Sequence, residues 1–263
     1  MSDDTNITVS VVSHCQGAMV NELLKDLARF SADGIDVLLT INAPEQLPFS
    51  PDEFPFPLQI HHNASPRGFA ANHNAAFKLC RTKYFAVLNP DLRLTSNPFP
   101  VLADCLNDGF SVAAPTVLNA RGEIEDSARK FPRPHLLLAK LLGLSQGRYP
   151  VKSGETLSSP DWVAGMFMLF RAEDFAGVGG FDEGFFLYYE DADICTRLWK
   201  RGLRVGYCQN VSVIHQAQRA SRHKLKYLRW HLASMARYFG KHGGRLPGSS
   251  RLVSKAASDS LHE

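Results

Sequence analysis

Short runs of β-branched and apolar residues alternate along the first third of the chain with segments of helical periodicity. Residues 7–14 form a short run rich in β-branched residues, and residues 35–41 and 84–89 are largely apolar, which predicts buried strands. Between them, residues 17–30 and 68–80 repeat apolar side chains at helical spacing and predict helices. This alternation is typical of a parallel sheet, so we predict an α/β fold with a mostly parallel central sheet and helices on both faces.

The rest of the chain is less regular but carries the same kinds of element. Helices are predicted at residues 98–108, 190–202 and 224–243, and strands at residues 110–118, 162–171 and 203–215. The helix at 224–243 is long and amphipathic. Residues 121–156 mix turns with the apolar stretch HLLLAKLLGL, and residues 243–263 are predicted to form a flexible basic tail.

Composition sets limits on the class of protein. The 263 residues are enough for one large or two small domains. The acidic start MSDDTNITVSVVSH has no basic region and no long apolar core, so no secretory signal is predicted, and no apolar run reaches the ~20 residues of a membrane span. Five cysteines without a C-x-x-C spacing argue against disulfide pairs or structural zinc and favour a reducing cytoplasm.

The net charge of +3 conceals an uneven distribution. Residues 1–193 carry 15 basic and 24 acidic side chains, whereas residues 194–263 carry 14 basic and 2 acidic ones. A basic C-terminal region of this kind attracts an anionic partner such as a membrane surface, a nucleic acid or a pyrophosphate group, although a solvated basic face is the simpler alternative.

Polar residues follow several of the predicted strands. Ser13, Asn42, the NPD run at residues 89–91 and His215 each lie where an apolar run ends. In open α/β sheets, ligands bind beyond the carboxyl ends of the strands. We therefore expect these residues to converge on one edge of the sheet, with Asp91 either in a turn or in a functional site.

Three carboxylates crowd the start of the helix predicted at 190–202. Glu190, Asp191 and Asp193 could each stabilise the helix dipole, and His215 alone could be an ordinary histidine at a strand end. Together with Asp91 they form a set of oxygen and imidazole ligands suited to a hard divalent cation that also binds substrate phosphates.

Common nucleotide-binding motifs are absent from the sequence. No G-x-G-x-x-G follows the first strand, and there is no G-x-x-x-x-G-K-[ST] phosphate loop. The remaining candidate chemistry is that of carboxylates and imidazole.

Several longer stretches resemble the family 2 glycosyltransferases, especially the rhamnosyltransferase-like group of bacterial surface polysaccharide synthesis. The resemblance covers roughly residues 7–240, and its most specific block is residues 163–202. The stretches that carry it are RGFAANHNAAF, FAVLNPDLRL, VAGMFMLFRAEDFAGVGGFDEGFFLYYEDADICTRLWKRG, VSVIH and HLASMARYF.

The resemblance implies a GT-A fold, a nucleotide-sugar donor, Mg²⁺ or Mn²⁺ as cofactor, and inversion at the anomeric carbon. It implies one domain over residues 1–242, with a nucleotide-binding half at 7–95 and an acceptor half at 96–242. The expected function is transfer of a sugar, with rhamnose as one candidate, to a hydroxyl of a glycan or glycolipid.

The resemblance also implies roles for individual residues. Asp91 and His215 match metal ligands, and Asp191 matches the catalytic base, with Glu190 beside it. The residues expected to contact the donor are Ser13, Asn42, Gly68, Asn74, Asn89 and Asp91. The residues expected to contact the acceptor, which would lie below residues 130–156, are Trp162, Gly165 and Asp193.

One departure from the family pattern concerns the end of the second strand. The family carries an aspartate there that contacts the nucleobase or ribose, and Ile41 occupies that position here. A dTDP- or UDP-sugar is the expected donor. A cytoplasmic location is expected, with contact to the anionic inner face of the membrane through the basic C-terminal region, and no nucleic-acid partner is expected.

Two other functions stay open at this point. A sugar-phosphate nucleotidyltransferase would carry a glycine-rich, arginine-containing loop after the first strand, and SHCQGAMV lacks it. A non-catalytic module that binds carbohydrate or membrane would keep the fold without turnover. Release of nucleoside diphosphate with and without EDTA separates these functions.

Overall fold

The computed structural model describes residues 6–133, 149, 156–216, 225–243 and 246–247. The apolar stretch at 135–144 and most of the predicted basic tail at 243–263 lie outside the described residues, so the predictions made for them are not tested.

Strands and helices alternate through the described chain. The strands are β1 (Ile7–Ser13), β2 (Ile35–Ile41), β3 (Leu58–His62), β4 (Tyr84–Leu88), β5 (Leu92–Leu94), β6 (Phe110–Asn119), β7 (Ala128–Arg129), β8 (Leu157–Ser158), β9 (Trp162–Val163), β10 (Phe167–Arg171) and β11 (Arg204–His215). The helices are α1 (Gly17–Phe30), α2 (Phe69–Phe77), α3 (Phe99–Asn107), α4 (Ala172–Gly177), α5 (Glu190–Lys200) and α6 (Leu225–His242), with a 3₁₀ turn at Pro51–Glu53.

The described strands form one large sheet and one small ribbon. The large sheet has the order β3-β2-β1-β4-β10-β6-β11-β5, with β8 paired to β11, and the ribbon joins β7 to β9. Neighbouring strands among β1, β2, β3 and β4 are parallel, as are β6 and β11, and β10 runs antiparallel between β4 and β6. The central sheet is therefore mostly parallel, as predicted, and six strands end at the same edge.

Alternate residues of the central strands pack on opposite faces of the sheet. On β4, Ala86 and Leu88 join an apolar cluster that includes α1 and α3. Phe85 and Val87 face a second cluster that includes α2, α4, α5 and α6. Because both faces are covered, the central strands are buried on both sides, including the polar Thr8 and Ser10 of β1.

The strand predicted at residues 162–171 is divided in two. β9 ends at Val163 and β10 begins at Phe167. The Gly165 N–H donates to the Asp191 carboxylate instead of a neighbouring strand, and the Met166 carbonyl accepts from Asn89 N–H. The single-strand prediction was wrong because the Gly165 N–H bonds the first turn of α5 and the Ala164 N–H bonds the Ser127 carbonyl, both outside the large sheet.

Helix α6 docks on α5 through one buried carboxylate. Asp193 is fully buried, and its oxygens lie 2.7 Å from Arg197 Nε, 2.7 Å from Lys241 Nζ and 2.9 Å from His242 Nε2. Burial would raise the pKa of Asp193, but these donors outweigh burial and lower it. The prediction that Asp193 contacts the acceptor was wrong, since the side chain is enclosed between the two helices.

Among the helices of the described residues, none combines the length and the apolar character that crossing a membrane would require.

Replacing Asp193 with asparagine tests the docking of α6. We expect Asp193→Asn to lower the free energy of unfolding by about 2–3 kcal/mol, less than the ~3–5 kcal/mol of a fully buried pair because Lys241 keeps 31% of its side chain exposed. Chemical denaturation at neutral pH measures the difference.

Stability measured at low pH provides a second test of the Asp193 carboxylate. Since folding lowers the pKa of Asp193, its contribution to stability is complete above the ordinary aspartate pKa of about 3.9 and declines as the pH falls below it. The difference in the free energy of unfolding between wild type and Asp193→Asn should therefore become smaller at low pH. Asp104→Asn, an exposed substitution on α3, is the control, and equal stability of all three proteins would contradict the account.

Candidate active site

The ends of β4 and β11 meet at one edge of the sheet. The Gln216 N–H, one residue past β11, donates to the Asp91 carbonyl over 2.8 Å. Strand β5, which follows Asp91 directly, turns back and pairs His215 with Leu92. The structure thus brings Asp91 and His215 together, although 124 positions separate them in the sequence.

The imidazole of His215 lies between two carboxylates. Its Nε2 is 3.2 Å from Asp91 Oδ2, and its Nδ1 is 2.8 Å from Glu125 Oε2. Burial alone would lower the pKa of His215, but the Asp91 and Glu125 carboxylates outweigh burial and raise it. Each ring nitrogen therefore faces a carboxylate oxygen within hydrogen-bonding distance.

These residues fit a divalent cation that is completed by a substrate. Asp91 Oδ1 is buried and has no hydrogen-bond partner among the described residues, which leaves one carboxylate oxygen available beside His215. Within the described ranges, no group of three or more His, Cys, Asp or Glu side chains forms a complete metal site. A carboxylate and an imidazole therefore suit an ion whose other ligands are phosphate oxygens and water.

Asp191 is held at the start of α5 by backbone donors. Its Oδ2 accepts the Gly165 N–H at 2.9 Å, and its Oδ1 accepts the Ala192 N–H at 2.8 Å. Burial raises the pKa of Asp191, and these two hydrogen bonds limit the rise. Each oxygen keeps lone-pair capacity, so the carboxylate can still accept a proton from a bound hydroxyl.

Glu190 lies deeper than Asp191. It is only 5% exposed, and its Oε2 has no hydrogen-bond partner within the described structure. Burial and the nearby Asp191 carboxylate raise the pKa of Glu190 well above its ordinary value. Asp191 is the better candidate for a general base, because its side chain is only partly buried whereas that of Glu190 is enclosed.

Two consecutive left-handed residues lead into this pair of acids. Tyr188 has φ of 72° and Tyr189 has φ of 68°, values that cost of order 1–3 kcal/mol each for residues with bulky side chains. Helix α6 packs against this segment. Ser234 Oγ donates to the Leu187 carbonyl over 2.8 Å, and the His231 ring lies 5.3 Å and 5.4 Å from the two tyrosine rings.

Two predicted donor residues hold loops at the same edge. The buried Ser13 donates to Glu45 Oε1 at 2.6 Å, and Glu45 also accepts the N–H groups of Cys15 and Gly17. Asn42 is buried, and its Oδ1 and Nδ2 bond the N–H and carbonyl of Arg67. Both side chains shape the loops, and direct contact with a donor stays a prediction.

Three further donor predictions fall near the segment that precedes α5. A Cβ on Gly68 would lie 2.6 Å from the Phe186 carbonyl oxygen, so only glycine permits this close approach. Asn74 bonds both the N–H and the carbonyl of Phe181. Asn89 is half-buried two residues before Asp91, and none of the three is tested as a donor contact.

Of the predicted acceptor residues, Gly165 contacts Asp191 directly, and Trp162 lies at the start of the short segment that leads to Gly165. Trp162 is 8% exposed, its Nε1 donates to the Lys130 carbonyl, and the Arg129 guanidinium lies 5.0 Å from its ring centre. Arg129 is close enough to help keep the pKa of Asp191 from rising further. A Cβ on Gly165 would lie 3.3 Å from the Phe69 ring, which leaves little room for any side chain.

The sequence did not indicate some of the residues in this arrangement. The structure places Glu45 and Glu125 in irregular segments and Arg129 in the two-residue strand β7. Hydrophobic periodicity gives no signal in such short or irregular segments. The turn signal NARG at residues 119–122 could have placed a hairpin after β6, but not the contact of Glu125 with His215.

Comparisons with known proteins identify the family and the fold. A family model described as the N-terminal domain of galactosyltransferase matches residues 152–227. The rhamnosyltransferase WbbL of Escherichia coli K12 is 33% identical over 186 residues, which cover 66% of this chain and 70% of WbbL.

A second relative is the N-acetylglucosaminyl-diphospho-decaprenol L-rhamnosyltransferase of Mycobacterium tuberculosis H37Rv. It is 30% identical over 141 residues, covering 49% of this chain. The chain spans only 45% of the length of that relative.

Solved structures with low sequence identity share the fold. GalNAc-T7 with UDP, GalNAc and Mn²⁺ gives a TM-score of 0.62 at 16% identity, covering 81% of this chain and 43% of that one. The mannosyltransferase PcManGT of Pyrobaculum calidifontis, with GDP-Man and Mn²⁺, gives a TM-score of 0.56 at 14% identity. The match covers 97% of this chain and 80% of PcManGT. The predicted GT-A fold is confirmed, and the match to WbbL shows that the chain belongs to the family 2 glycosyltransferases, in their rhamnosyltransferase-like group.

Proposed function

We propose that the chain is an inverting, metal-dependent glycosyltransferase that moves a sugar from a nucleotide-sugar donor to a hydroxyl of a glycan or glycolipid. The break between β9 and β10 carries this proposal. There, the Met166 carbonyl accepts from Asn89 N–H next to the metal-ligand candidates, and the adjacent Gly165 N–H donates to Asp191. A two-residue link therefore joins the proposed cation ligands to the proposed base.

Asp91 and His215 would hold the cation, with the donor diphosphate completing its ligands. When bound, a divalent cation neutralises the charge that develops on the leaving nucleoside diphosphate. The buried, unpartnered Asp91 Oδ1 supports this assignment, and the Mn²⁺ in two structural relatives is consistent with it.

Asp191 would act as the general base. As the acceptor oxygen forms its bond to the anomeric carbon, its proton passes to Asp191 and the bond from that carbon to the phosphate oxygen breaks on the opposite face. This single displacement inverts the configuration and needs no protein nucleophile. The raised pKa of Asp191 supports the role, because a stronger base takes the proton more readily.

The donor is proposed to be a dTDP- or UDP-sugar, with rhamnose as the first sugar to test. WbbL and the mycobacterial relative are named as rhamnosyltransferases, and solved relatives contain UDP, UDP-GlcNAc or GDP-Man. Ile41 stands at the end of β2 and has no group that could bond a ribose or base, so Glu45 or backbone groups of the neighbouring loop would read the nucleotide.

The acceptor is proposed to be a lipid-linked sugar diphosphate. The name of the mycobacterial relative gives such an acceptor for that protein. Here, the Arg129 guanidinium acts on the Asp191 carboxylate, and it suits an anionic group bound beside the proposed base.

We propose that α6 meets the cytoplasmic face of an anionic membrane. Leu225, Leu228 and Leu232 are 79%, 54% and 48% exposed, and their spacing of three and four residues places them on one side of the helix. Lys226 and Arg229 flank this leucine row. Exposed apolar residues bordered by basic ones are typical of helices that lie in the membrane interface.

Replacing Asp191 with asparagine tests the base. We expect Asp191→Asn to reduce kcat by about 10²–10⁴-fold while donor affinity stays near that of wild type, because the amide keeps the shape but cannot take a proton. Release of nucleoside diphosphate measures turnover, and calorimetry measures donor binding. Asp104→Asn is the matched control, and wild-type turnover by Asp191→Asn would show that another group is the base.

Removing one proposed metal ligand tests the cation site. We expect Asp91→Ala to weaken Mn²⁺-dependent donor binding by at least ~10–100-fold. This is the usual cost of losing a residue that only hydrogen-bonds a metal ligand, and a ligand itself should cost no less. Measurements of donor affinity with added Mn²⁺ and with EDTA give the part of that affinity that depends on the metal. Donor binding by wild type that is unaffected by EDTA would contradict the proposal.

A charge placed in the leucine row tests membrane contact. We expect Leu228→Glu to lose most binding to vesicles that contain phosphatidylglycerol, because a carboxylate would be buried against an anionic surface. Co-sedimentation measures the bound fraction. Leu79→Glu, at a leucine that is 45% exposed outside α6, is the control, and equal loss in both variants would argue against a specific face.

A further inference from the structure

The third side chain at the edge formed by β4 and β11 has no role in the function proposed above. Glu125 Oε2 lies 2.8 Å from His215 Nδ1, on the ring nitrogen that does not face Asp91. The Glu125 side chain is 25% exposed and that of His215 is 14% exposed, so the contact is partly shielded from water. This contact is therefore better defined than an ordinary surface ion pair.

A hairpin after β6 brings Glu125 to this position. The Asn119 N–H bonds the Glu123 carbonyl, Leu118 pairs with Ile124, and the Glu125 N–H bonds the Val117 carbonyl over 2.8 Å. The chain thus folds back along the last residues of β6.

The register of β6 and β11 then fixes the distance to the imidazole. Asn119 is the direct partner of His215 in the parallel pairing of the two strands. The returning arm of the hairpin consequently passes beside His215, and this places Glu125 independently of the loops around Asp191.

We infer that Glu125 is a positioning residue for the cation site: by accepting the Nδ1–H of His215, it fixes the tautomer and ring plane that direct Nε2 towards Asp91. The inference rests on the proposed assignment of His215 as a metal ligand. A ligating histidine presents a lone pair on one nitrogen only while the other carries the proton, and an oxygen acceptor on the second nitrogen selects that state.

The same geometry argues against Glu125 as a ligand of the cation itself. The two ring nitrogens point in diverging directions, and Glu125 and Asp91 occupy different ones. The described residues also provide no group of three side chains that could share one ion. Glu125 acts through His215, so its effect should depend on hydrogen-bond acceptance and not on its charge.

Substitution by glutamine separates these possibilities. Glu125→Gln keeps an oxygen acceptor for Nδ1–H, whereas Glu125→Ala removes it. We expect Mn²⁺ affinity to fall by about 10–100-fold in Glu125→Ala, the usual cost of losing such a partner, and to stay within about 3-fold of wild type in Glu125→Gln.

The affinity is measured on the full chain without turnover. Electron paramagnetic resonance counts free Mn²⁺ in the presence of saturating uridine or thymidine diphosphate, whichever raises the wild-type melting temperature more. Glu123→Ala is the matched control, since Glu123 lies on the same hairpin, is exposed, and among the described residues bonds the side chain and backbone of the nearby Asn119.

A spectroscopic measurement reports on the ring directly. In the chain with ¹⁵N-labelled histidine, loaded with Mg²⁺ and the nucleotide, wild type and Glu125→Gln should show His215 protonated at Nδ1 alone. Glu125→Ala should lose this single tautomer, even if its hairpin remains folded. A His215→Asn spectrum identifies the signal.

These experiments distinguish failure of the positioning role of Glu125 from failure of the proposed cation site. Unchanged Mn²⁺ affinity in Glu125→Ala, or equal losses in Glu125→Gln and Glu125→Ala, would overturn the positioning role. A wild-type chain that binds the nucleotide without any Mn²⁺ dependence would instead overturn the cation site. A loss in Glu123→Ala equal to that in Glu125→Ala would show that the hairpin, and not the Nδ1 contact, matters.

Discussion

The interruption of the sheet between Val163 and Phe167 is the constraint on which the site depends. A continuous strand would have used the Gly165 N–H within the sheet. Instead, this N–H bonds the carboxylate at the start of α5, whereas the Met166 carbonyl still bonds Asn89, the residue that follows β4. A Cβ on Gly165 would lie 3.3 Å from the Phe69 ring, so the break favours a residue without a side chain. Packing and hydrogen bonding therefore fix where Asp191 lies relative to the ends of the strands.

A second constraint comes from outside the sheet. Helix α6 holds the left-handed Tyr188 and Tyr189 through Ser234 and His231, and α6 in turn is held on α5 by the buried Asp193. The backbone strain before Glu190 persists only because these contacts determine it. The same helix presents exposed leucines on its outer side, so the element proposed to meet a membrane is also the element that supports the segment leading to the base.

Much of this fold could be predicted from local pattern. Continuous apolar strands alternating with helices gave the parallel sheet, and the carboxyl-end rule gave the convergence of Asp91 with His215, which the hydrogen bond from Gln216 to Asp91 confirms. The features that the sequence did not predict correctly depend on tertiary contacts. The charge pattern of α5 could not show that Asp193 faces α6 and not a substrate, because three acids in the first turn of a helix point in different directions. Glu125 lies in a hairpin whose position follows from strand register, which no local pattern encodes.

The central claim is that Asp91 and His215 bind one cation with the donor diphosphate while Asp191 faces the incoming hydroxyl. A crystal of the chain grown with Mn²⁺ and a nucleoside diphosphate tests it most directly, since anomalous scattering locates the manganese. The account predicts a single strong peak within coordination distance of Asp91 and His215, with the Asp191 carboxylate opening onto the same cleft. A manganese peak elsewhere, or an Asp191 side chain turned into the core, would contradict it.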